Sequence, residues 1–263
     1  MKIVMIYTYY KSVSSDYNLN FFVKNEVKYR DNISYIIVVN NYECDILFPD
    51  LPNLTIIRRP NIGFDFGGHN AALNHLDLNN IKTYSYYFFM NSGVIGPILN
   101  KDLTDLKDFH WSSIFINKIN NKVKLVGTTI VCLPKEDLGG IGPKVEGFFF
   151  MTDQVGLNLL RRKKTIFCDH KDKESAIIYG EYGLSKCIMS RGYTIDCMLK
   201  KYEGVDWTNK QNWNKNNYLH PSRENSFYNN SIDPFEVIFH KWYWHGLPTV
   251  NYDIIMQYVN SKQ

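Results

Sequence analysis

Short apolar runs alternate with helix-compatible stretches through the first ninety residues, and this alternation narrows the possible folds more than any other feature. Residues 3–7, 35–39, 54–57 and 86–90 are rich in β-branched and aromatic side chains, as strands buried on both faces are. Between them, residues 20–29 and 71–76 carry helical spacing. The chain therefore reads as α/β, with a mainly parallel central sheet flanked by helices. Ligands of such sheets bind beyond the carboxyl ends of the strands. Those ends are Thr8-Tyr9, Asn40-Asn41, residues 58–65 and Asn91-Ser92-Gly93.

The second half is less regular. Residues 123–132 and 147–151 read as strands, 153–162 and 182–190 as helices, and 202–233 as a long loop rich in Asn, Trp and Lys. A loop of that length in a compact domain is usually functional. No linker or internal repeat divides the chain, so residues 1–263 are expected to form one domain. Residues 1–100 would bind a ligand, 101–200 would receive an acceptor, and 201–263 would close over both.

Composition excludes several classes. The net charge is only +4, and the basic run at residues 161–164 follows an amphipathic stretch, where cations suit a helix C-terminus. No basic stripe interleaves with aromatics, which argues against a nucleic-acid partner. The five cysteines are scattered without a Cys-x-x-Cys pair, which fits a reducing, cytoplasmic setting. No run of about twenty apolar residues offers a membrane span. Nineteen Tyr and sixteen Phe exceed what a core needs and suggest stacking surfaces in an open cleft.

Three constellations carry chemistry. The first is residues 58–73, RRPNIGFDFGGHNAAL: Asn61, Gly63, Asp65 and Gly68 stand between a strand and a helix. Glycines there let backbone approach a phosphate, and a helix N-terminus favours an anion; an ordinary turn uses the same residues. The second is the strand end Asn91-Ser92-Gly93. Asn and Ser offer hydrogen bonds but not two anionic ligands for a hard cation, so no metal ligand is assigned and a Mn2+ or Mg2+ requirement does not follow. The third is YGEYGLSKCIMSRGY, residues 179–193, which places Glu181 at the expected start of a helix. A carboxylate there is either favourable to the helix dipole or a general base.

Taken together these motifs resemble a GT-A glycosyltransferase. Asn61-Ile62-Gly63 with Asn70, then Asn91-Ser92-Gly93 in the slot of an Asp-x-Asp metal site, then Gly180-Glu181 before Leu184-Ser185 and Arg191-Gly192-Tyr193 follow the order of inverting family-2-type members. A nearer likeness is to GT-A-like proteins of algae, fungi, bacteria and large DNA viruses, akin to rhamnan-synthesis transferases. Its pattern is met at residues 7–10, 61–65, 91–97, 123–128, 180–185, 205–207 and 239–241. Lys144, Glu146 and Gly147 replace that family's His-x-Gln-Ser.

The resemblance implies a nucleotide-sugar donor, expected to be UDP-linked, and a glycan or glycoconjugate hydroxyl as acceptor. Thr8, Tyr9 and Asn40 would cradle base and ribose, and Asp65 would hold ribose or sugar. Asn91 and Ser92 would touch sugar or diphosphate, with Asn61, Gly63 and Gly68 shaping the approach. Glu181 would be the base of an inverting transfer. His240 and Lys241 would clamp or neutralise the diphosphate, or belong to an aromatic core strand. A GT-A-shaped binding protein without turnover is the alternative.

Overall fold

All four strands expected in the first ninety residues form, each somewhat longer than its apolar run. They are β1 (Ile3–Tyr10), β2 (Ile33–Asn40), β3 (Leu54–Arg59) and β4 (Tyr86–Asn91). The structure, a computed structural model, describes residues 1–76, 78–137, 140–213, 220–244, 247–248 and 251–262. With β5 (Val123–Gly127), β8 (Phe149–Asp153) and β9 (Thr194–Cys197) they make one seven-stranded sheet, ordered β3-β2-β1-β4-β8-β5-β9. The strands run parallel apart from β8, which is antiparallel to β4 and β5. This single α/β unit is the architecture the apolar pattern implies.

Strand order decides where a ligand can sit. From β1 the chain moves outward to β2 and β3, then returns to β4 on the other side of β1. The carboxyl ends of β1 and β4 therefore border a switch point, where connections leave in opposite directions and a crevice opens. Register sets Thr8 level with Asn91 across β1–β4, and Tyr10 level with Asn40 across β1–β2.

Several elements depart from the sequence reading. Helix α1 runs Val13–Asn25 rather than 20–29, because Ser12 caps it by accepting a hydrogen bond from the Ser15 N–H at 3.2 Å. Helix α2 runs Phe64–His75, so Gly67 and Gly68 lie inside it and not in a turn before it. The run at 123–132 is two strands broken at the buried pair Thr128-Thr129; β6 (Ile130–Asp137) leaves the main sheet to pair with β7 (Gly140–Val145). The sequence of β7, GIGPKV, conceals a strand because Gly and Pro are poor strand formers. Within residues 203–233 the described part holds a short 3-10 turn, Lys210–Asn212, and an isolated bridge between Phe227 and Asn230; positions 214–219 of the expected loop lie outside the described residues.

The aromatic surplus goes mainly beneath the cleft, not into it. Phe149 stacks on Phe239 at 4.4 Å and Phe89 on Phe150 at 4.8 Å, while Trp111 meets Phe239 edge-on at 4.8 Å. All of these side chains are buried. Each such pair contributes about 0.5–1.5 kcal/mol beyond area burial, and together they fix the sheet that carries the strand ends. No helix among the described residues is long and apolar enough to cross a membrane.

Candidate active-site cleft

Two adjoining hollows, of about 400 and 370 Å³, open at the switch point and share Phe64, Asp65, Asn91 and Lys241 in their walls. The first is lined by strand ends: Thr8 and Tyr10 from β1, Asn40 from β2, Asn61 before α2, and Asn91-Ser92-Gly93 from β4. The second is lined from the rest of the chain by Lys144, Glu146, Phe148, Lys173, Glu181, His220, Arg223 and Trp244, among others. Larger hollows lie elsewhere. One of about 490 Å³ sits beside β9, another of about 490 Å³ behind the helix that follows Glu181, and one of about 680 Å³ against α1. None of the three is lined by a candidate site residue read from sequence.

The floor of the first lobe is pre-set by hydrogen bonds. Asp65 accepts a short hydrogen bond from the Asn91 amide, whose oxygen in turn accepts from the Gly93 N–H at 2.8 Å. Burial raises the Asp65 pKa, and Glu181 adds to the effect, while the Asn91 bond and the positive charge of Lys241 oppose it. Thr8 is buried and bonds His69 Nδ1 at 2.9 Å. The Asn40 amide oxygen accepts from Arg59 at 3.3 Å, and Ser92 Oγ accepts from the Tyr10 N–H at 3.4 Å. Asn61 is exposed at the rim.

Helix α2 points its N-terminus at this lobe through Phe64 and Asp65. Its cap is Gly63, at φ +76°, where the left-handed backbone suits glycine. That glycine packs on Asp169 and Gly68 packs on Thr8; a Cβ on either would sit 2.4 Å from its neighbour. Both therefore shape the cleft from behind and neither lines it. Tyr9 also faces away: its side chain is buried and its hydroxyl bonds Asp16 of α1. Tyr10, not singled out from sequence, is the β1 tyrosine that reaches the cavity.

Glu181 does face the cleft, in the second lobe. Its setting differs from the expected helix start. A helical turn at Lys173–Ser175, capped by Asp172, runs through a π-turn at Ala176–Glu181 into the helix Tyr182–Met189. Glu181 thus sits mid-helix, without the free N–H groups of a helix end; π-turns of this kind are frequent at functional sites. Its Oε2 accepts from Lys144 Nζ at 2.6 Å, and Oε1 has no hydrogen-bond partner among the described residues. Gly147 makes room for this side chain, since a Cβ there would lie 2.8 Å from Glu181 Cγ.

Lys144 and Glu146 are two residues apart on an extended segment, so both face the cleft. Burial works against the Lys144 ammonium, but the Glu181 and Glu146 carboxylates outweigh it and raise its pKa. Glu146 is 4% exposed. It accepts from Thr129 at 2.7 Å, Ser222 at 3.1 Å and His220 at 3.2 Å. Burial favours its neutral form, yet His220 and the lysines Lys144 and Lys241 pull the carboxyl down to about 2. This network ties the segment around His220 to the sheet, and with it Arg223 and Trp244. In the sequence, only the period-two spacing of Lys144 and Glu146 hints at that tie.

His240 and Lys241 separate. His240 is buried, pairs its backbone with Ile95, and accepts at Nε2 from Asn251 at 3.1 Å. Burial lowers its pKa to about 4, and it lines neither lobe, so it belongs to the aromatic core. Lys241 is half-buried and borders both lobes. Trp207 is likewise a core side chain, against Tyr202 at 5.0 Å; the tryptophan at the cleft is Trp244.

The resemblance noted from sequence puts the slot of an Asp-x-Asp metal site at the tip of β4. Here the Asn91 amide is engaged at both atoms, and Asp65 is the one carboxylate among the described residues of that tip. Among the described residues no three His, Cys, Asp or Glu side chains gather as a metal-holding group. Burial lowers the Lys241 pKa, while the nearby Glu146, Glu181 and Asp65 carboxylates favour its charged form. A hard cation needs a set of oxygen ligands with carboxylates among them, and this donor set does not fit one.

No family model matches the chain, and no curated protein matches it. Among solved structures it is similar to the mannosyltransferase PcManGT from Pyrobaculum calidifontis in complex with GDP-Man and Mn2+. The identity is 12%, covering 74% of this chain and 54% of that one, with a TM-score of 0.45. The chain thus spans little more than half the length of that protein.

Proposed function

We propose that this protein is a glycosyltransferase that moves a sugar from a nucleotide-sugar, UDP-linked, to a hydroxyl of a glycan or glycoconjugate, with inversion. One observation carries the reading. A single cleft at the switch point places a helix N-terminus and the Lys241 ammonium, both suited to an anion, beside a carboxylate that keeps one oxygen free among the described residues. The order of motifs that resembles the GT-A group supports the same reading. Residues 1–100 supply the donor lobe, 101–200 the lobe with Lys144, Glu146 and Glu181, and 201–263 the covering residues Arg223, Lys241 and Trp244.

In this scheme Thr8, Asn40 and Asn61 border base and ribose, with Tyr10 as a stacking face. Asp65 takes a ribose or sugar hydroxyl, and the Asn91-Ser92 tip borders the donor's sugar and diphosphate. The acceptor oxygen bonds to the anomeric carbon as its proton passes to Glu181 Oε1. The bond from that carbon to the diphosphate oxygen breaks, and its electron pair leaves on the nucleoside diphosphate. Lys144 holds Glu181 in place, and Trp244 with Arg223 limits water, whose attack would waste the donor.

A thermal-shift screen over UDP-, GDP- and dTDP-sugars, read beside nucleotide release, tests this. A UDP-sugar at a hundredfold excess over Kd should stabilise the fold by about 2.7 kcal/mol, a rise of several degrees in Tm, and release UDP on addition of acceptor. No shift with any donor would refute the reading. A shift without release under any acceptor would mark a binding protein.

A further inference from the structure

We infer that Lys241, aided by Arg223, holds and neutralises the donor's diphosphate, so that transfer requires no divalent cation; the inference rests on the nucleotide-sugar reading above. Of the cleft lysines, Lys144 and Lys241 differ in what they touch. Lys144 is bonded to Glu181 at 2.6 Å. Lys241 makes no hydrogen bond or ion pair among the described residues. Its Nζ instead lies 4.1 Å from the centre of the Trp244 ring and 5.6 Å from that of Phe148. Those rings hold the ammonium at the wall common to both lobes, with its N–H donors uncommitted among the described residues.

Position agrees with this. Lys241 shares the wall of the first lobe with the β4 tip, which carries Asn91, Ser92 and Gly93 and no acid. Arg223 also packs on Trp244, 4.7 Å from the ring, and is exposed at the mouth. An arginine there suits phosphate oxygens, which it can grip at two points. As the bond between the anomeric carbon and the diphosphate oxygen breaks, the electron pair stays on that oxygen. Negative charge then grows beside Lys241, which stabilises it by donating hydrogen bonds and gives up no proton.

Titration calorimetry with UDP, and separately with inorganic diphosphate, tests the inference in EDTA and in MnCl2. UDP should bind in EDTA about as tightly as in MnCl2. Lys241→Met should weaken both probes by about tenfold or more in EDTA, the effect of losing a charge-assisted hydrogen bond, while Lys241→Arg keeps most of the affinity. UDP binding that appears only with Mn2+ overturns the inference and leaves the nucleotide-sugar reading standing. Equal affinity of the wild type and Lys241→Met also overturns it. If the wild type binds neither probe in either buffer, the inference and the reading fall together.

Discussion

Glu181→Gln should lower kcat by about 10²–10⁴-fold, the usual contribution of a positioned general base, while the KM for the donor changes little. The substitution preserves shape and can still accept from Lys144, which lies 2.6 Å from Oε2; it removes only the capacity to take a proton. Steady-state rates of nucleotide release with a saturating acceptor measure the effect. A variant retaining roughly a third or more of wild-type kcat, far above the loss expected of a general base, would remove Glu181 from the reaction. Asp65, the cleft carboxylate whose pKa is raised by burial, would then be the residue to test as Asp65→Asn.

Glu146→Ala should destabilise the fold by about 3–5 kcal/mol, the cost of deleting one member of a buried charge network. Thr129, Ser222 and His220 all lose their shared acceptor. The pH dependence separates this from a simple packing loss. The folded carboxyl titrates at about 2, below its ordinary 4.5. In the acid range the unfolded chain therefore binds more protons than the folded one, and stability falls with pH. The Glu146 contribution is complete above about pH 4.5 and disappears as pH falls towards 2. Urea midpoints at neutral pH, near pH 5 and near pH 3 should show the gap between wild type and variant closing at the acid end. Buried His69 and His240, with pKa values lowered to about 3 and 4, also favour unfolding in acid, but they do so in both proteins and cancel in the difference. A gap that stays constant into acid would mean that the charge of Glu146 adds nothing.

The sheet was readable where burial on both faces forces continuous apolar runs, as in β1, β2 and β4. It was not readable in β7, whose Gly and Pro disguise a strand, or at Thr128-Thr129, where two polar residues are buried at a break rather than exposed in a turn. Gly67-Gly68 misled for a related reason. Glycine marks a turn when the chain must bend, but Gly68 marks a helix pressed against Thr8.

At the site, side chains on strand ends were legible because strand ends have a fixed address in a parallel sheet. Thr8, Asn40, Asn61, Asp65, Asn91 and Ser92 all line the first lobe. Tyr9 failed by one position: side chains alternate along a strand, and only the register shows which of Tyr9 and Tyr10 faces the crevice. The second lobe comes from contacts remote in sequence. His220 meets Glu146 across 74 residues, and beyond the period-two spacing of Lys144 and Glu146 nothing local announces it.

Amide hydrogen exchange with and without a UDP-sugar tests most directly that the switch-point cleft is the donor site. Exchange should slow in residues 61–66, 91–94, 220–224 and 240–244, with little change beside β9, behind the Tyr182–Met189 helix or along α1. Protection confined to any of those three larger hollows would contradict the assignment.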